Sequence, residues 1–189
     1  MARPREFDET KALAQARELF WRDGYEATSL AGLLDAMAIS KSSFYETFGS
    51  KHALFLRALA DYQDERASQI KTCLADGQSA WAAIEALFRG IVACEQAKGC
   101  MTCNEAIELG PSDPAVELQV GGALGDLETL LERTIVRGQR EGSIGTALDP
   151  ASLARLLAVS LSGLQVMIRA RTDRARLEET VEIILKLLR

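Results

Sequence analysis

Histidine is almost absent: the 189-residue chain holds one, His52. A lone imidazole gives hydrolytic triads and histidine-based zinc sites little to build on. There is no glycine-rich loop to cradle a phosphate, no set of paired metal ligands, and no segment with the sustained alternation of a half-buried strand. Apolar runs are short as well, none reaching the roughly eighteen residues of a membrane span, and the leading Met-Ala-Arg-Pro-Arg-Glu lacks the apolar segment of a secretory signal. A cytoplasmic protein without membrane, metal or cofactor, and without an enzyme's machinery, is the expectation. In that compartment the four cysteines are expected to be reduced thiols rather than a disulfide framework.

With 48% hydrophobic residues and no low-complexity tract, the chain can bury a substantial core throughout. Its most telling stretch runs from Thr28 to Leu54. Leu30, Leu33, Leu34 and Met37 recur at three- and four-residue spacing, one face of a helix that Thr28 or Ser29 can cap. Ser40 caps a second short helix whose Phe44 and Phe48 point inward together, leaving Lys41, Ser42, Ser43, Tyr45 and Glu46 outward. Small hydroxyls suit base edges in a major groove, and Lys and Tyr suit phosphates. A solvated helix in an ordinary bundle would show the same amphipathic pattern.

Gly24-Tyr25, Thr28-Ser29, Ile39-Ser40-Lys41, Phe44-Tyr45, Phe48 and Ser50-Lys51 together resemble the DNA-binding domain of the TetR family, position by position. The resemblance implies a helix-turn-helix regulator in which Thr28, Ser29, Lys41, Ser42, Ser43, Tyr45 and Lys51 face double-stranded operator DNA. Two positions depart from the family pattern. Ala38 stands where the turn usually has Gly, and Glu46 stands where aromatic or basic residues are more usual; an anion there must read a cytosine amino group or point away. The formal net charge of −5 is no obstacle, because Arg3, Arg5, Lys41 and Lys51 place cations around the reading helix.

Periodicity and punctuation predict an all-α chain of about nine helices. The first spans Glu9 to Asp23, ending at Gly24, and the fourth runs from Lys51 towards Asp76-Gly77. Further helices are expected over Ser79 to about Ala97, Cys100–Leu109, Pro114 to about Arg140, Pro150–Arg171 and Arg174–Leu188. Residues 1–50 form the N-terminal three-helix DNA-binding domain and 51–189 a C-terminal ligand-binding and dimerisation bundle, the arrangement that the resemblance implies. Leu153, Leu156, Leu157, Val159, Leu161, Leu164, Val166 and Met167 ring much of one helix, and Leu177, Val181, Ile184, Leu185 and Leu188 give the last a similarly broad face. Residues 150–171 and 174–188 are therefore expected to pair with their copies as the family's four-helix dimer interface, with intramolecular packing as the alternative.

Cys100 and Cys103 lie at the start of a short helix beside Lys98, a position where a helix N-terminus and a cation stabilise thiolate and a second thiol can resolve an adduct. The alternative is that both are small buried hydrophobes. Gly99-Cys100-Met101, Asn104 and Glu108-Leu109 also resemble a stretch in a TetR branch that includes electrophile- and oxidant-responsive repressors. The family's effector pocket lies in the bundle, so Trp81, Phe88, Met101, Ile107, Leu124, Leu127 and Met167 are candidate lining residues for an unknown small molecule or electrophile. The rival functions are a thiol-disulfide oxidoreductase built on Cys100 and Cys103, and a helical interaction module that does not bind DNA.

Overall fold

A computed structural model describes residues 7–76, 78–94 and 98–189. Arg3, Arg5 and Gly77 lie outside the described residues, as do residues 95–97 at the expected end of the fifth helix. Among the described residues there are nine helices and no strand.

Polar caps set the helix starts. Helix α1 (Glu9–Asp23) begins at Asp8, whose carboxylate accepts from the Lys11 N–H, and stops at Gly24, which takes φ 86°. Ser29 caps α2 (Leu30–Met37), Ser40 caps α3 (Lys41–Phe48), and Ser50 caps α4 (Lys51–Ala75). The α2–α3 turn forms without glycine: Ala38 itself takes the left-handed conformation at φ 53°, ψ 42°. Ser79, Asp113 and Asp149 cap α5 (Ala80–Ala93), α7 (Pro114–Glu141) and α8 (Pro150–Arg169), the last two having proline in the first turn. Between them α6 (Met101–Glu108) has Cys100 at its cap position without a side-chain capping bond, and α9 (Arg174–Lys186) ends the fold.

Two apolar cores result. The first gathers Phe20, Leu33, Met37, Phe44 and Phe48 of the three short helices around Leu54, Phe55 and Leu59 of α4, and adds Met101, Leu109, Val116 and Val120 from α6 and α7. The second lies among the end of α4, α5, the later part of α7, α8 and α9. Helix α4, which starts after its Ser50 cap, contributes residues to both. Helix α8 is long and apolar enough by composition to cross a membrane. That composition has a different cause here: one side packs the bundle core through Leu153, Leu157, Leu161 and Leu164, while Leu156, Val159, Val166 and Met167 form an exposed apolar stripe.

Candidate nucleic-acid interface and thiol site

Helix α3 presents the residues its periodicity promised. Phe44 and Phe48 are buried, and Lys41, Ser42, Tyr45 and Glu46 are exposed. The Tyr45 ring stands edge-on to Phe44 with centroids 5.2 Å apart, which fixes its outward direction while 47% of the residue stays exposed. Ser40 Oγ sits 2.9 Å from both Ser42 Oγ and Ser43 Oγ, so the capping hydroxyl also orients two hydroxyls of the outward turn. At the start of α4, Lys51 Nζ lies 4.2 Å over the Tyr25 ring, held there by the ring's negative face.

Thr28 departs from expectation. It is buried at 4% exposure and its hydroxyl donates to the Gly24 carbonyl at 2.6 Å, so it braces the loop before α2 instead of facing DNA. Ser29 spends its oxygen on the Gly32 N–H at 3.0 Å as the α2 cap but remains exposed.

The thiols do come together. Cys100, half-buried at the head of α6, has the Cys103 thiol and the Tyr62 hydroxyl as neighbours. Its pKa is lowered, first by the Cys103 hydrogen bond; burial opposes this, and Tyr62, the Cys103 backbone N–H and the Arg66 charge add to it. Cys103 is raised by its bond to Cys100 and by burial, and Tyr62 is raised by burial and then by the Cys100 charge. Both therefore remain donors to a Cys100 thiolate. Lys98, the cation expected to help, points elsewhere: its ammonium lies 2.8 Å from Glu18 Oε1 and 4.0 Å over the Trp21 ring. Arg66, thirty-odd positions upstream on α4, takes that role, and spacing along the sequence carries no sign of it. No group of three metal-ligating side chains exists among the described residues.

The segment before Cys100 is bolted to the head. Trp21 Nε1 donates to the Gly99 carbonyl at 3.1 Å, and Arg169 reaches the carbonyls of Trp21 and Lys98 at 3.3 and 3.2 Å. At the far end of α6, the Glu108 carboxylate accepts the Glu26 N–H at 2.9 Å and occupies the space a Cβ on Gly24 would need. A single two-turn helix thus joins the thiols to the loop that launches α2. A second tie crosses nearby, His52 Nε2 lying 2.5 Å from Asp113 Oδ2, which lowers the Asp113 pKa.

A cavity of about 380 Å³ lies between α1, α4, α5 and α8. None of the seven candidate lining residues faces it. Phe88 and Met101 are fully buried core, Leu127 packs on the bundle core and Leu124 on the head core, while Ile107 and Met167 are exposed. Trp81 borders a different hollow near Ser79, Gly142 and Arg189.

Residues 12–58 match the family model for bacterial regulatory proteins of the tetR family, and residues 77–184 match the tetracyclin repressor-like C-terminal domain. The chain belongs to the TetR family. It is a DNA-binding transcriptional regulator, similar over its whole length, at 33% identity, to the uncharacterized HTH-type transcriptional regulator YezE of Bacillus subtilis, all of which is covered. The HTH-type transcriptional repressor ComR of Escherichia coli is 30% identical over 96% of this chain and 87% of its own. Among solved structures, a cysteine mutant of the TetR family regulator CifR complexed with 26-bp double-strand operator DNA superposes with a TM-score of 0.88 at 33% identity, all of both chains being covered. Reduced NemR of E. coli, at 18% identity and TM-score 0.87 over 95% of this chain and 96% of its own, shares the TetR fold.

Proposed function

We propose that the protein is a cytoplasmic, homodimeric repressor that grips a palindromic operator with α3 of each protomer and releases it when Cys100 and Cys103 are modified. The carrying observation is the thiol site at one end of α6, with Glu108 at the other end holding the loop that leads into α2. A peroxide oxygen taken by the Cys100 thiolate gives a sulfenic acid and releases water after protonation; the Cys103 thiol then displaces a second water as the disulfide closes. An electrophile alkylating Cys100 removes the same thiolate. Either event removes the acceptor of the Tyr62 and Cys103 hydrogen bonds and shifts the head of α6. Helix α4, carrying Tyr62 and Arg66 under the thiols and Lys51 at its DNA end, moves with it. Two reading helices must keep a separation of about 34 to 36 Å to enter successive major grooves, so a small displacement costs much of the affinity.

The operator complex of CifR and the repressor description of ComR support the DNA-binding half of this reading. On the DNA face, Ser42 and Ser43 meet base edges, and Ser29, Lys41, Tyr45 and Lys51 meet phosphates. Lys51→Ala is expected to weaken binding to every operator variant alike and to lower the salt slope by about one per protomer. Binding curves at several salt concentrations check this, and an unchanged slope would remove Lys51 from the contact set.

The thiol half is tested by operator titration in excess reductant, after hydrogen peroxide, and after thiol rescue. Wild-type protein is expected to lose at least about tenfold in affinity with peroxide and regain it with thiol. Cys100→Ser is expected to bind normally in reductant and to ignore peroxide. A peroxide response that persists in Cys100→Ser sinks the sensing role.

A further inference from the structure

The cavity between α1, α4, α5 and α8 has an uneven electrostatic wall. Arg17 is held there by two carboxylates, 2.8 Å from Asp61 and 2.6 Å from Glu65, and has no charge to spare for a ligand. Arg66 is not so held: among the described residues it makes no ion pair, and its only side-chain bond is a long 3.3 Å contact with the Gln69 amide oxygen. It is half-buried and lines the cavity together with Tyr62 and Cys73. The lining also includes an apolar set, Trp21 from α1 and Leu87, Ile91 and Ile168 from the bundle. At about 380 Å³ the volume is near the lower end of the range for small-molecule sites, which pair an apolar body with a few fixed polar groups.

We propose that this cavity binds a small organic anion, a carboxylate carried on an apolar body, with the carboxylate against Arg66 and the body against Trp21, Leu87 and Ile168. The planar guanidinium fork matches a carboxylate bidentately, and no protein carboxylate competes for it. The apolar set rejects a second charge. The site spans both halves of the regulator, since Trp21 belongs to α1 and holds Gly99 beside the thiol pair. Its consequence for transcription, an effector acting without covalent modification, rests on the repressor reading; its binding chemistry does not.

The chain has two tryptophans, and Trp81 lies outside this cavity, so Trp81→Phe leaves Trp21 as the sole indole reporter. Octanoate and octanol carry the same tail and differ in charge at the head. Octanoate is expected to change Trp21 emission saturably and to bind at least about tenfold more tightly than octanol. In Arg66→Gln on the same background, octanoate affinity is expected to fall to within about twofold of octanol, whose own affinity stays put. Equal affinity for the two probes, a preference that survives Arg66→Gln, or an indole that responds to neither overturns the proposal. Operator binding by the ligand-free protein is a separate measurement: its failure would count against the repressor reading and leave these titrations standing.

Discussion

Val159→Arg is expected to convert the protein from dimer to monomer at micromolar concentration and to weaken operator binding by at least about a hundredfold. Val159 is 70% exposed in the middle of the α8 stripe, flanked by Leu156, Val166 and Met167; Ile183 of α9 and Leu187 just after it are exposed as well. Gly163 lies on that same side, and a Cβ built there meets nothing within 4 Å, leaving room for a second backbone to approach. An apolar patch of this size on two adjoining helices calls for a partner, and a two-fold axis supplies an identical one. In such an isologous contact each arginine buries an unpaired charge near its own symmetry mate, at a cost of several kcal/mol. A monomer holds one reading helix and loses half of the contacts at once. Because Val159 touches no core, the variant should keep its helical content, so sedimentation and operator binding report assembly and not misfolding. A dimer that persists at full operator affinity would place the interface elsewhere.

The helix starts were legible because each is a local event. Asp8, Ser29, Ser40, Ser50, Ser79, Asp113 and Asp149 each cap a helix through an oxygen two to three residues from its target N–H, and short-range chemistry of this kind is written in the order of residues. The outward face of α3 followed from Phe44 and Phe48 for the same reason. What could not be read is what depends on three-dimensional neighbours. Thr28 has the composition of a cap, yet the fold of the 24–28 loop turns its hydroxyl onto Gly24. Lys98 is next to Cys100 in sequence and is drawn away by Glu18 and Trp21, residues about eighty positions earlier. The cavity escaped altogether. Its lining runs from Arg17 to Ile168 across four helices, and an apolar stripe marks core positions such as Phe88 and Met101 without marking where packing leaves a gap. Tyr62 and Arg66 looked like ordinary positions on α4 until the fold brought Cys100 against them.

Glu105 yields the other large effect. It sits on α6 between Cys103 and Glu108, is 0% exposed, and neither of its carboxyl oxygens has a hydrogen-bond partner among the described residues. Burial, and then the Glu108 charge, push its pKa up to about 8, against a weaker opposing pull from Arg169. A carboxyl raised in this way is neutral in the folded protein and ionised in the unfolded chain across the interval from about 4.5 to about 8. The folded state binds the extra proton there, so stability is greatest on the acid side and falls as pH rises through that interval, with nothing further lost above it. Across the whole interval the fall amounts to roughly 5 kcal/mol, about 1.4 kcal/mol per unit. Glu105→Gln cannot ionise. Its stability curve is expected to lack this fall and to cross above wild type within that interval, ending about 2–3 kcal/mol higher at pH 9. Urea midpoints for both proteins between pH 6 and pH 9 test this, because every other titrating group is common to the pair and cancels in the difference. Parallel curves would show that Glu105 keeps an ordinary carboxylate in the fold. Diverging curves would have a functional counterpart, since an ionised Glu105 strains the helix that joins the thiols to the Gly24–Glu26 loop: wild-type operator affinity should drop above pH 8 in reductant, and Glu105→Gln should hold it.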